Sequence, residues 1–160
     1  MKKIFILFGV LTLMFAASGK AVAGSAASSF SAQTNAIAVC RITSAATTID
    51  FGNYDPTDAS PNDAAAGSFG FRCTKGTVYK IYITPGARTM ISGSEGLNFE
   101  LYSDAGRTSV FPGTNATGIS GSSTSNGVEI MTNIYGRIPA GQDVTAGNTF
   151  TQTLTATIDY

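Results

Sequence analysis

The chain has 160 residues, ten basic and ten acidic, and contains no histidine. The low charge and the lack of a basic patch argue against a nucleic-acid partner. The absence of histidine excludes catalytic triads that use a histidine base. The composition therefore favours a non-enzymatic protein, and we expect no cofactor.

The first 23 residues have the pattern of a secretory signal peptide. Lys2 and Lys3 precede an apolar run over residues 4–17, and Ala21-Val22-Ala23 supplies small residues for cleavage. The apolar run is short for a membrane span. We predict cleavage after Ala23, with an uncleaved N-terminal anchor as the alternative.

Cleavage at that point leaves 137 residues, enough for one domain with a core, and seven basic against ten acidic residues, a net charge of −3. In an exported chain, Cys40 and Cys73 predict a disulfide. Closing a loop of about 34 residues would stabilise the fold by about 3–4 kcal/mol. Two isolated thiols without histidine cannot form a closed zinc site.

Short β-rich runs alternate with turn residues along the rest of the chain, which is typical of an all-β sandwich of seven or eight strands. The predicted extended segments are 29–44, 47–54, 68–74, 77–85, 97–103, 104–111 (a turn and a return strand), 128–139 and 149–160, and the predicted loops are 55–67, 113–127 and 140–148. Residues 93–96 are predicted to form a turn, and Gly136 is predicted to break the strand at 128–139.

Alternation of period two predicts which side chains face the core. The three sets are Phe69, Phe71 and Cys73; Tyr79, Ile81 and Ile83; and Leu97, Phe99 and Leu101. The closing segment, residues 149–160, alternates to its last residue with threonines on the outer face. Its predicted core face is Phe150, Leu154, Ala156, Ile158 and Tyr160.

The N-terminal arm, residues 24–37, precedes the first cysteine and lacks a turn that would fold it into a hairpin. One face of the arm carries Phe30, Ala32, Thr34 and Ala36. Such a segment can add as a strand to an exposed sheet edge. The alternatives are a disordered leader or an ordinary first strand, and a one-residue shift would instead bury the opposite face.

The remaining polar residues give weak signals for chemistry. Asp55, Asp58 and Asp63 lie in a proline-containing loop, and we interpret them as solvated, turn-favouring residues rather than as a calcium site. The many serines and threonines are interpreted as outward strand positions, with a sugar-binding surface as the alternative. No metal site is predicted.

Several segments resemble one family. The sequences CRITS, DFGNYDP, GSFGFRCTKG, YKIYITPG, LNFELYSDAGRTSVF, IYGRIPAGQ and AGNTFTQTLTATIDY occur in the order and at the approximate spacing of spore coat U domain proteins. This family includes the archaic, Csu-type chaperone–usher pilus subunits. The resemblance covers residues 29–160.

The resemblance implies an incomplete immunoglobulin-like β-sandwich of pilin type, with residues 24–37 as a donor-strand arm and 38–160 as the spore coat U domain. The disulfide between Cys40 and Cys73 matches the family. The closing segment would border a groove left by a missing strand. Each subunit would fill its neighbour's groove with its own arm, and this head-to-tail contact grows open filaments. After Phe30, the inward side chains of this arm are small or polar.

The implied function is that of a structural pilus subunit supporting surface adhesion and biofilm formation. The implied partners are a periplasmic chaperone, an outer-membrane usher and neighbouring subunits in a homo- or hetero-polymer. The implied location is the cell surface, reached through the periplasm. The alternatives are a spore coat or other surface-layer protein of the same family, or a monomeric secreted ligand-binding module.

Overall fold

The computed structural model describes residues 23–63 and 66–160, so the predicted signal peptide lies outside the described residues except for Ala23. The chain divides into two units at Thr34. The described part of the first unit, residues 23–34, forms no helix or strand. The second unit, residues 35–160, carries the strands and the core.

The second unit is all-β, with antiparallel pairing throughout its described strands. One sheet has the order β1-β2-β8-β6, a second has the order β7-β3-β9, and β4 and β5 form a hairpin. The strands are β1 (Cys40–Ser44), β2 (Ala66–Cys73), β3 (Val78–Thr84), β4 (Thr89–Ser92), β5 (Glu95–Asn98), β6 (Glu100–Tyr102), β7 (Ile119–Ser122), β8 (Ile130–Arg137) and β9 (Thr155–Asp159), with one 3-10 turn at Asn115–Thr117.

The core lies between the two larger sheets, and the alternating faces predicted for β2 and β3 are confirmed. Phe69, Phe71 and Cys73 are buried from one sheet, and Tyr79, Ile81 and Ile83 from the other. The rings of Phe71 and Tyr79 meet edge to face with centroids 5.0 Å apart, so the two sheets touch through aromatic side chains. Leu97, Phe99 and Leu101 are buried as predicted.

The sequence predicted one strand over residues 97–103. The segment instead divides at Phe99, where the chain passes from one sheet to another. The Phe99 N–H donates to the Arg88 carbonyl at 3.0 Å, and β5 and β6 on either side pair with different partners. The return strand predicted at 104–111 reduces to a single bridge between Tyr102 and Val110.

Other segments also differ from the predictions. Residues 47–54 form no strand, although Thr47 N–H donates to Ser68 O at 3.0 Å. The predicted loop at 113–127 contains β7, β8 continues through Gly136, and β4 was not predicted. In the closing segment, regular pairing is limited to β9, with a bridge from Thr151 to Ile91 upstream.

Candidate functional site

The outer edge of β9 has no neighbouring strand among the described residues. β9 ends the sheet β7-β3-β9, and among the described strands it pairs with β3 alone, where Ile158 lies opposite Ile81 and Ala156 opposite Ile83. An unpaired strand edge presents a row of N–H and C=O groups that can bind another extended chain. β9 therefore provides a template for one more strand.

The same edge continues upstream of β9. Thr151 exchanges both backbone hydrogen bonds with Ile91, at 3.0 and 3.3 Å. In an extended chain, successive residues direct their backbone groups to opposite sides. The groups of Phe150 and Gln152 therefore face away from β4, and they make no backbone hydrogen bond with any described residue. The open edge thus runs beyond β9 into the preceding residues.

A cleft of about 680 Å³ adjoins this upstream part of the edge. Its walls include residues 48–54 and 144–152, and Met90, Leu97 and Ile138 also line it. Leu97 and Ile138 are only 3% and 1% exposed, so the cleft reaches core side chains. An extended segment that entered the cleft could contact both the apolar interior and the open backbone edge.

The predicted core face of the closing segment lies along this edge. Phe150, Leu154, Ala156 and Ile158 are half-buried and pack against the core, whereas Tyr160 is 57% exposed. Partial burial at four alternating positions is what an edge strand shows when nothing covers its outer side. The role of these five residues as the core face of the closing strand stays a prediction.

The predicted donor face is solvent-exposed in this structure. Phe30, Ala32, Thr34 and Ala36 are all exposed, Phe30 by 94%, and none of them belongs to a strand. A phenylalanine with this exposure leaves nearly all its apolar surface in water, which is unfavourable by roughly 1.5–3 kcal/mol relative to full burial. The role of this face stays a prediction.

The two cysteines form the disulfide that the sequence predicts. Cys40 and Cys73 are directly opposite in the β1–β2 ladder, with their Cα atoms 4.1 Å apart. The bond joins an edge strand, which has a neighbour on one side only, to a strand paired on both sides. It therefore fixes the N-terminal end of the fold immediately after the arm.

The aspartates of the 55–67 loop divide into two kinds. Asp55 and Asp58 accept backbone N–H bonds from residues two positions later, at 2.8 and 2.9 Å, as expected for turn residues. Asp63 instead binds Arg137, with Nε at 2.7 Å and Nη2 at 2.8 Å, and lies 3.4 Å from Arg107. The Arg137 hydrogen bonds, and then the two positive charges, hold the pKa of Asp63 below its ordinary range, although burial opposes them.

This ion cluster explains two of the sequence motifs without assigning them any chemistry. Arg107 of YSDAGRT and Arg137 of YGRIPAGQ both hold Asp63 and so tie the long loop to β8. Arg107 also donates to Gly136 O at 3.0 Å. The sequence did not predict the cluster, because its members are 30 or more positions apart. The only signal was the presence of an arginine in each of the two motifs.

In the ranges 23–63 and 66–160, no three histidine, cysteine, aspartate or glutamate side chains come together as a set that could bind a metal ion. The same part of the chain contains no apolar helix of membrane-spanning length.

Two open antiparallel sheets around one core, with an unpaired edge beside a core-reaching cleft, define an immunoglobulin-like sandwich of the pilin type. A family model described as the Spore Coat Protein U domain matches residues 26–157. The chain belongs to the spore coat protein U domain family. No curated protein matches the chain.

One solved structure that resembles the chain is a crystal structure of the CsuC–CsuE chaperone–tip adhesion subunit pre-assembly complex, from the archaic chaperone–usher Csu pili of Acinetobacter baumannii. The TM-score is 0.51 at 14% identity, covering 78% of this chain. This chain spans 40% of the length of the chain it matches. At this identity, the likeness is evidence for the fold alone.

Proposed function

We propose that the protein is a structural subunit of a chaperone–usher pilus that polymerises by donor-strand exchange. The observation that carries the proposal is the open edge of β9 and the residues before it, lined by half-buried apolar side chains. A strand from outside the molecule would pair with this edge and cover those side chains. Membership of the spore coat protein U domain family supports the same conclusion.

The proposed occupant in the fibre is the arm of a second subunit. Residues 24–37 form no strand, and their alternating face begins with a phenylalanine that is 94% exposed. An extended segment of this kind has no backbone ladder of its own, and the open edge lacks a strand. Pairing the arm with the edge would give the arm a backbone ladder and give the edge its missing strand. Repeated from molecule to molecule, this contact would not close on itself.

Before assembly, a periplasmic chaperone would occupy the same edge. An unpaired apolar edge favours uncontrolled association, so an exported subunit needs a temporary strand until it reaches an outer-membrane usher. The predicted signal peptide supports export to the periplasm. The finished fibre would lie at the cell surface and would support adhesion and biofilm formation, and the subunit itself would catalyse no reaction.

The test is a pair of charge substitutions on the arm, Phe30→Asp and Ser31→Asp, in the full chain co-expressed with its chaperone and usher. The first places a carboxylate on the proposed buried face, and the second places one on the opposite face. Losing the Phe30 burial, roughly 1.5–3 kcal/mol, should weaken each contact at least about tenfold. Polymer ladders on unboiled gels should therefore be shorter and weaker for Phe30→Asp and unchanged for Ser31→Asp.

Deleting residues 24–36 distinguishes the two partners proposed for the β9 edge, the chaperone and the arm of a second subunit. The chaperone complex should survive, because the chaperone uses the β9 edge, whereas polymers should vanish. A full-length protein that purifies as a stable monomer without any chaperone would contradict the proposal.

A further inference from the structure

One wall of the cleft, residues 144–148, is held in an unusual way. Residues 146–147 form a local turn, but no residue of this wall makes a backbone–backbone hydrogen bond to a described residue outside it. Gly147 in this wall has a φ of +84°, a conformation that residues with side chains rarely adopt. The position of the wall therefore depends on side-chain contacts: the packing of Val144 against the core and hydrogen bonds from other segments.

Glu95, the first residue of β5, provides most of these contacts. Its carboxylate accepts the Thr145 backbone N–H at 2.9 Å and the Asn148 side-chain amide at 3.0 Å, and it also accepts the Thr145 hydroxyl. These bonds, those from Thr145 first, lower the pKa of Glu95 below its ordinary range. Glu95 does not itself line the cleft.

Gln142 fixes the other end of the same segment. Its side-chain oxygen accepts the Asn98 N–H and its amide donates to the Asn98 carbonyl, both at 2.8 Å. Asn98 ends β5, whereas Glu95 begins it. The segment from 142 to 148 thus lies along β5 through side-chain bonds at its two ends, and Glu95 holds the end nearer to Phe150 and the open edge.

We infer that Glu95 is a positioning residue for the cleft: by holding Thr145 and Asn148, it fixes the wall against which an incoming extended strand docks. This inference rests on the proposed function. A carboxylate suits the task, because its two oxygens accept all three bonds at once. Without it, no hydrogen bond of the described residues holds the segment between Gln142 and Thr151, and only the packing of Val144 and Phe150 against the core remains.

The test compares Glu95→Ala with Glu129→Ala in the full-length chain, purified as its chaperone complex. Glu129 is a matched control, because its carboxylate also accepts two hydroxyl bonds, from Thr43 and Ser44, but it does not line or support the cleft. A labelled synthetic peptide of residues 27–38 serves as the incoming strand. Its retention after exchange should fall about tenfold for Glu95→Ala and stay unchanged for Glu129→Ala.

Hydrogen exchange supplies the readout that separates positioning from general stability. Amide exchange over residues 144–148 should accelerate in Glu95→Ala, while the buried amides of β3 keep their protection. Glu95→Gln, which keeps one acceptor oxygen, should fall between the wild type and Glu95→Ala in both measurements.

Equal peptide retention by Glu95→Ala and the wild type, unchanged exchange over 144–148, or equal loss in Glu129→Ala would each overturn the inference while leaving the proposed function intact. If the wild-type chain itself takes up no peptide, the proposed function fails and the inference fails with it.

Discussion

At the scale of single residues, Arg88 is a buried cation that connects three parts of the fold. It is 6% exposed and donates to the carbonyl of Pro85 at 3.3 Å, to that of Phe111 at 3.1 Å and to the carboxylate of Glu100 at 3.4 Å. Burial lowers the pKa of its guanidinium, and Glu100 opposes this shift. A buried charge is tolerated only when its donors are paired, as these are.

Replacing Arg88 with alanine should destabilise the fold by about 2–4 kcal/mol, because it leaves the Phe111 carbonyl unpaired in the interior and removes a buried side chain. The matched control is Arg41→Ala, which removes an exposed arginine and should change stability by less than about 0.5 kcal/mol. Urea unfolding followed by circular dichroism measures both, and equal midpoints for the two variants would contradict this role of Arg88.

At the scale of elements, the sequence was informative where a strand is long and alternates between core and solvent. Tyr79, Ile81 and Ile83 of β3 satisfy both conditions, and their burial was predicted. β7 (Ile119–Ser122) was missed because it is a short edge strand, ISGS, without an apolar pattern. A Cβ at Gly121 would lie 2.5 Å from the Tyr79 hydroxyl, so a glycine leaves room for the Tyr79 side chain. The same glycine favoured the loop prediction.

Gly136 also misled the prediction. It was expected to break its strand, yet it pairs with Leu101 in the middle of the β6–β8 ladder. Its carbonyl also accepts the Arg107 bond. Glycine is common both in turns and where backbone and neighbours approach closely, and a single sequence does not distinguish these contexts. The context of a glycine is decided by the strand with which it pairs, and that strand is distant in the sequence.

The disulfide belongs to the same scale, because it fastens one strand to another. Replacing Cys40 and Cys73 together with serine should lower stability by about 3–4 kcal/mol, since the bond closes a loop across 33 positions in the unfolded chain. Thermal unfolding of the wild type with and without reductant gives the same comparison without substitution. A melting temperature that reductant leaves unchanged would show that the bond does not stabilise the fold.

At the scale of the whole molecule, the candidate site is a property of topology rather than of any motif. The alternation of residues 149–160 predicted a strand and its inner face, but alternation is the same for a central strand and an edge strand. Only the sheet order places β9 at an edge, and only the folded chain brings residues 48–54 and 144–152 together around one cleft. Under the proposed function, the exposed arm of one molecule pairs with the open edge of another.

This relation predicts the behaviour of a chain that supplies its own missing strand. A second copy of residues 24–38, fused after Tyr160 through a short flexible linker, would face the β9 edge at a millimolar effective concentration. Burial of the appended Phe30 copy, roughly 1.5–3 kcal/mol, should raise the melting temperature by about 5–10 °C for a domain of this size. With the edge occupied, the fused chain should run as a monomer in size-exclusion chromatography without a chaperone. The same fusion carrying Phe30→Asp in the appended copy should show neither effect, and equal melting temperatures for the two fusions would mean that this face of the arm does not fill the edge.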